Sequence, residues 1–186
     1  MRKVTYSMSM SVDGYIAGPD GDFDWPGFTD DVFRISLDEI RTIGGHLMGR
    51  RLYETMRYWE TEDPAGFNDL EREWAALWNP LPKVVFSRTL TAVEGNARLA
   101  TGTVADEIAR LRAEPGEGDI AIGGATLAQD AAAAGLIDEY LIRVFPVLVG
   151  GGIPFFARDD QRVDLELLDE RRFDGGVVFL HYRARR

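Results

Sequence analysis

The sequence predicts an α/β fold: a mixed, mostly parallel sheet flanked by helices and finished by an antiparallel hairpin. Three observations point there. Short apolar runs such as KVVFS (83–87) and DIAIGG (119–124) read as strands buried on both faces. Segments of helical periodicity alternate with them. The C-terminal stretch breaks that alternation, with VDLELLDERRF and VVFLHYRARR joined at Asp174-Gly175-Gly176, the pattern of a hairpin. At 186 residues the chain is read as a single domain, 1–186, large enough for one core.

Taken in order, the first strand covers Val4 to Ser11, where Met8, Met10 and Val12 alternate with Ser7, Ser9 and Ser11. Asp13-Gly14 and Asp20-Gly21 are hairpin-turn pairs. Yet Tyr15, Ile16, Phe23 and Trp25 are too apolar for a plain connector, so Asp13 to Trp25 is expected to be a lid and a pocket wall. A helix follows over TDDVFRISLDEI. Thr29 serves as its cap, Asp30 and Asp31 suit its positive end, and Phe33, Leu37 and Ile40 form a stripe. Gly44-Gly45 is read as its stop. A short buried strand (His46 to Gly49) feeds the helical RRLYETMRYW, and Asp69 to Trp78 is an amphipathic helix ended by Pro80 and Pro82.

After the strand 83–87, Thr103 opens a helix over Val104 to Glu114. The strand DIAIGG runs into the helix ATLAQDAAAAG, which Gly135 stops. Glu139 to Val149 is the next strand. The three consecutive glycines of VLVGGGIPFF are read as a loop closing over a ligand, a subunit contact or a bulge.

Composition removes several function classes. A net charge of −10 argues against extended contact with nucleic acid or an anionic membrane. No apolar run approaches the roughly 18 residues of a membrane span, and MRKVTYSMSMS reads as a strand start, so a cytoplasmic protein is expected. Without cysteine there is no thiolate nucleophile and no Cys-rich zinc site. With two histidines, both read as structural, no H-E-x-x-H and no nucleophile elbow, covalent hydrolysis and metal catalysis rank low, and no metal is expected.

Three strand ends carry the chemistry. Gly123-Gly124 sit where a strand hands over to a helix, which serves either to let an anion approach backbone N–H groups or simply to make a tight turn. The pair fits neither G-x-G-x-x-G nor a P-loop. Gly49 opens a second junction whose Arg50 and Arg51 oppose the helix dipole, at a cost of a few tenths of a kcal/mol that a nearby anion would offset. Ser87-Arg88 ends a third strand. In a parallel sheet these ends open on one side, where a dinucleotide carrying an extra phosphate would fit. Asp22, Asp24, Asp30 and Asp31 are the acid–base candidates.

The motifs SMSVDGYIAGPDGDFDW, MGRRLYETM, VVFSRTL, IAIGGATLA and VFPVLVGGGIPFF, in this order, resemble the dihydrofolate-reductase-like superfamily. The nearest branch is the one named for the C-terminal reductase domain of the riboflavin-biosynthesis deaminase-reductase (the RibD C-terminal domain). The resemblance implies that fold, NADPH as cofactor, and hydride transfer to a small heterocycle related to pterins, pyrimidines or flavins. The 5-amino-6-(5-phosphoribosylamino)uracil reductase type is included. It implies Ile16 and Ala17 beside the nicotinamide, and Gly49, Arg50 and Arg51 at the diphosphate and 2′-phosphate. Ser87 and Arg88 would lie by the adenosine ribose phosphate, and Gly123, Gly124, Ala125 and Thr126 would form a second diphosphate clamp. Asp24 and Trp25 would face the substrate, and Asp30 or Asp31 would be the catalytic acid.

The chain departs from that pattern at Trp25-Pro26-Gly27 and at Ile142, which is aligned with a polar position supporting the pterin. It also has neither the length nor the cysteines of the zinc deaminase domain. A non-catalytic NADP(H)-binding sensor or sequestering protein is the alternative reading, and a scaffold using its glycine loops for dimerisation is a third. A homodimer is expected because Phe155 and Phe156 would be exposed on a monomer.

Overall fold

The computed structural model describes residues 1–156 and 161–185. Among the described residues, ten strands and six α-helices follow one another: β1 (Val4–Ser11), β2 (Tyr15–Ala17), α1 (Asp30–Ile40), β3 (Ile43–Gly49), α2 (Arg50–Met56), α3 (Tyr58–Thr61), α4 (Asp69–Trp78), β4 (Lys83–Phe86), β5 (Ala97–Leu99), α5 (Val104–Ala113), β6 (Asp119–Gly123), α6 (Ala125–Ala133), β7 (Glu139–Phe145), β8 (Ile153–Pro154), β9 (Leu165–Arg172) and β10 (Val178–Ala184). Eight strands form one sheet in the order β5-β4-β3-β6-β1-β7-β10-β9. Its members from β5 to β7 run parallel, and β10 and β9 add antiparallel at one edge. No described helix is long and apolar enough to cross a membrane.

Side chains alternate across each strand, so the register sorts the sheet into two faces. One face aligns His46, Ala121 and Thr5, and continues through Ser9, Arg143 and Phe179. The opposite face carries Val4, Leu47, Ile120 and Ile142, and packs with Ile108 and Leu111 of α5 and Ala128 and Ala131 of α6 into the main core. On the first face a second cluster joins Ile40 of α1, Tyr53 of α2 and Trp78 of α4 to Met48 and Val85.

Several elements differ from expectation. β3 starts at Ile43, so Gly44 and Gly45 are strand residues and not a helix stop. A Cβ on Gly44 would overlap the Glu117 carbonyl oxygen, and this close backbone approach is why glycine stands there. Helix α1 ends at Ile40 with Arg41 as C-cap, and Thr29 is its N-cap residue although its hydroxyl makes no cap hydrogen bond. β2 does not pair with β1 as a hairpin; it pairs with β8 in a separate two-stranded sheet. β7 ends at Phe145, ahead of Pro146, which cannot donate to the ladder. Gly135, at φ 64°, closes α6 as expected, with the Leu136 N–H reaching the Ala131 carbonyl at 2.9 Å.

The triple-glycine loop is explained by contact with β2. A Cβ on Gly152 would overlap the Ala17 carbonyl, and Asp13 accepts hydrogen bonds from Val149 N at 3.2 Å and Gly150 N at 2.7 Å. The Ser11 hydroxyl and these N–H groups hold the Asp13 carboxyl below the usual range. Phe155, expected to be exposed, is 1% accessible and lies 4.4 Å from the Tyr6 ring in the core, whereas Phe156 is 44% exposed. With Phe155 inside, this stretch no longer calls for a second copy to cover both rings.

Candidate active site

A cavity of about 1270 Å³ lies on the first face of the sheet, beneath α1, α2 and α4. Its floor is hollow because the strand residues there are small: Ser7 and Ser9 on β1, Ala121 and Gly123 on β6. A Cβ on Gly123 would overlap Leu52 and stand 2.7 Å from His46 Cε1. Large side chains at these positions would close the space, as they do on the opposite face.

One end is built for an anion. β4, β3 and β6 are neighbours in the sheet, so their C-terminal ends open side by side. Gly49, Arg50 and Arg51 come from the β3 end, Arg88 from the β4 end, and Gly123, Gly124, Ala125 and Thr126 from the β6 end; all line the cavity. Gly124 has φ 91° and ψ 128°, a conformation that disfavours other residues, and it opens α6 with no side-chain cap. The first N–H groups of α6 therefore have no intrahelical or capping partner from this residue. Arg50 reaches Glu54 at 3.0 Å. Ser87 is outside the lining; its Oγ accepts the N–H groups of Thr89 at 3.1 Å and Leu90 at 2.9 Å and shapes the turn that presents Arg88.

The other end is aromatic. Ile16, Ala17, Phe23, Asp24 and Trp25 wall it from the 13–25 segment, as expected for a pocket wall. Trp25 lies 5.8 Å from Phe145, and Phe33 lies 6.1 Å from Trp59 and 5.8 Å from Trp74. All four tryptophans of the chain line the cavity. Asp30 and Asp31 are exposed in the first turn of α1 and are not among the lining residues; Asp30 stands one turn before Phe33, at the rim. Asp22 is likewise exposed and outside the lining.

Of the carboxylates that line the cavity, Asp24, Glu54 and Glu39, the last comes from α1, near its C-terminal end. Arg143 Nη1 donates to Glu39 Oε1 at 2.7 Å, and the Ser7 hydroxyl donates to Glu39 Oε2 at 2.6 Å. Arg143 Nη2 donates to Ser7 Oγ at 3.1 Å and Nε to Ser9 Oγ at 3.5 Å. Ile142, the residue expected at the supporting position, is buried on the opposite face; the polar residue of β7 that enters the cavity is its neighbour Arg143. A shift of one residue exchanges the faces of a strand.

His46 also lines the cavity, where burial pushes its imidazole down to about 4, with Lys83 acting in the same direction. Sequence reasoning did not single out Glu39, Arg143, Ser7, Ser9 or His46 for the site. The available signals were the i, i+3, i+6 spacing of Phe33, Ser36 and Glu39 on α1, and the same-face pairing of Ser9 with Arg143. Among the described residues, no group of histidine, aspartate and glutamate is placed to hold a metal ion.

The fold is shared with solved structures. Across 99% of both chains it is similar to a putative riboflavin biosynthesis protein from Shewanella sp. PV-4, with TM-score 0.77 and 26% identity. It is similar to dihydrofolate reductase from Enterococcus faecalis with TM-score 0.62 over 99% of this chain and 97% of that one; at 16% identity this concerns the fold alone. In sequence it is 32% identical to the Bacillus subtilis protein YyaP over 97% of this chain and 94% of that one. The dihydrofolate-reductase-like sheet, the hollow face and a match to the RibD C-terminal domain over residues 2–179 converge, and the chain belongs to that family.

Proposed function

We propose that this protein is an NADPH-dependent reductase that passes a hydride to a small planar heterocycle of the pyrimidine or pterin type. The carrying observation is one cavity with two chemically different ends. Its 1270 Å³ exceeds the roughly 300–1,000 Å³ of a site for a single drug-sized ligand, so two molecules can lie end to end.

The residues present fit NADPH. Gly123 and Gly124 leave the backbone bare for a diphosphate at the start of α6, and Arg51 and Arg88 supply the guanidinium groups a 2′-phosphate needs. When bound, NADPH supplies the hydride. Ile16 and Ala17 present an apolar wall to the nicotinamide, while Trp25, Phe33 and Trp59 stack against a flat ring and exclude water from the transfer. Asp24 at the cavity wall, or Asp30 at its rim, is placed to return a proton from solvent.

Because all four tryptophans line the cavity, their fluorescence reports its occupancy directly. Titration with NADPH should quench them in the micromolar range. NADH should bind roughly tenfold or more weakly, the value of one charge-assisted hydrogen bond of about 1.5 kcal/mol. Arg51→Ala and Arg88→Ala should each shrink that preference. Absence of quenching by either nucleotide would return the glycine and arginine clusters to a structural role. NADPH binding with turnover unchanged in Asp24→Asn, Asp30→Asn and Asp31→Asn would remove the carboxylates from the mechanism.

A further inference from the structure

We propose that Glu60 and Lys83 are positioning residues for Trp59: their buried ion pair ties the one-turn helix α3 to the sheet and sets the plane of a ring that the substrate meets. The inference rests on the reductase reading and assigns what holds one wall of the site in place. Trp59 lines the cavity, whereas Glu60 and Lys83 do not. Adjacent residues of a helix point about 100° apart, so α3 can turn Trp59 to the chamber and Glu60 to the sheet.

Helix α3 has little of its own to hold it. It spans only Tyr58–Thr61, its N-cap residue Arg57 makes no side-chain cap hydrogen bond, and an isolated turn of helix is unstable in water. Its tie to β4 is the Glu60 carboxylate, whose Oε1 lies 3.1 Å from Lys83 Nζ, with the two side chains 10% and 0% accessible. The second oxygen stands 3.5 Å from Arg57 Nε. A Cβ on Gly95 would come within 2.6 Å of that oxygen, so the segment between β4 and β5 leaves room for the carboxylate.

Lys83 does not need Glu60 to satisfy its ammonium. Its three N–H groups have three backbone carbonyls within reach, those of Trp78 at 2.8 Å, Leu81 at 3.1 Å and Asn79 at 3.4 Å. Glu60 is a fourth acceptor, and an ion pair so far out of water is often no more stabilising than an apolar contact of the same volume. What the pair adds is a fixed distance between α3 and the strand. Trp59 meets Phe33 at 6.1 Å with their planes 29° apart, and Trp74 at 6.1 Å, so a tilt of α3 is passed to the aromatic wall. Stacking depends on ring separation and angle, and that wall therefore decides how a flat substrate sits.

The test uses the full chain labelled with 5-fluorotryptophan, with the Trp59 signal assigned by its loss in Trp59→Phe. Glu60→Ala cuts the tie while leaving Lys83 its three carbonyls and Arg57 its Glu94 partner. In that variant the Trp59 fluorine signal should shift or broaden, and in Glu60→Gln, whose amide oxygen can accept from Lys83, it should keep its wild-type position. The Trp25 signal should stay in place in both. In the chain saturated with NADP⁺, Glu60→Ala should weaken calorimetric binding of diaminouracil at least about threefold, yet change nothing further in a Trp59→Ala background. NADPH affinity should match the wild type. A Trp59 signal unmoved by Glu60→Ala, a Trp25 signal that moves equally, or the same loss of affinity with and without Trp59 would overturn the assignment and leave the pair as a structural tie. So would the absence of diaminouracil binding by the NADP⁺-loaded wild type. Failure of the wild type to bind NADPH strikes the reductase reading instead, and the fluorine spectra, which need no ligand, still decide whether the pair sets the ring.

Discussion

The two faces of one sheet are built to opposite rules. Against α5 and α6, the strands present Val4, Leu47, Ile120 and Ile142, all nearly inaccessible, and the helices pack over them. Against α1 and α4, the same strands present Ser7, Ser9, Ala121 and Gly123, and the helices stand over a chamber. Apolar burial supplies the folding free energy on the packed face, at about 25 cal/mol per Å² of apolar surface. The chamber face gives up part of that burial to an open space. The difference locates function where a buried strand carries residues too small or too polar to pack.

Core truncation against cavity filling should separate the faces most widely. Ile120→Ala removes a fully buried side chain from the packed face and should cost about 2–5 kcal/mol in urea unfolding while leaving NADPH affinity intact. Ser9→Leu places bulk in the chamber and should cost under about 1 kcal/mol, because it enters space and not a packed wall, yet abolish heterocycle binding. Equal destabilisation by the two changes would mean that the chamber face is packed in solution.

Acid sharpens the same contrast. The folded state holds His46 near 4 and the unfolded chain holds it near 6.5, so the unfolded state takes up the proton first. Stability linked to His46 is complete above the unfolded value and is lost as pH falls from 6.5 toward 4, amounting to about 2 kcal/mol at pH 5. Glu107 and Glu139 act in a lower window. Burial would raise them, but Arg98 and the Thr101 N–H hold Glu107 down, and Lys3 and His181 hold Glu139 down. Urea unfolding at pH 7 and pH 5 should therefore differ by about 2 kcal/mol in the wild type and by much less in His46→Gln. An unchanged pH dependence in the variant would place the titration elsewhere.

Most of the fold is legible in the residues because burial on both faces writes apolar runs, as at 83–87 and 119–124, and helices write their stripe. β5 is not legible: Ala97-Arg98-Leu99 is a three-residue edge strand, paired on one side only, with no pattern of its own. Gly44-Gly45 looks like a stop until the Glu117 backbone is seen against it. In the site, the glycine and arginine junctions announce themselves locally, and the sheet brings them together. Glu39 and Arg143 do not, since a glutamate late in a helix resembles solvated charge. In EYLIRVF, only pairing with Ser9 shows that Arg143 and not Ile142 faces the chamber.

The smallest predicted effect concerns how firmly each face is closed at its helix starts. On the packed side, α5 opens with a capping box: the Thr103 hydroxyl accepts the Asp106 N–H at 3.2 Å, and the Asp106 carboxylate accepts the Thr103 N–H at 2.9 Å. On the chamber side, α1 opens at Thr29 with no such bond. Thr103→Ala should then cost about 1 kcal/mol and Thr29→Ala close to nothing, as read by urea unfolding. Within α1, amide exchange should be faster at Asp30 to Val32, ahead of the Phe33 N–H that donates to the Thr29 carbonyl, than in the first turn of α5, because N–H groups without a cap are open to water. That end of α1 leads into Phe33, which lines the chamber. A Thr29→Ala cost equal to that of Thr103→Ala would show that the hydroxyl caps α1 in solution, leaving the mouth as firmly held as the packed face.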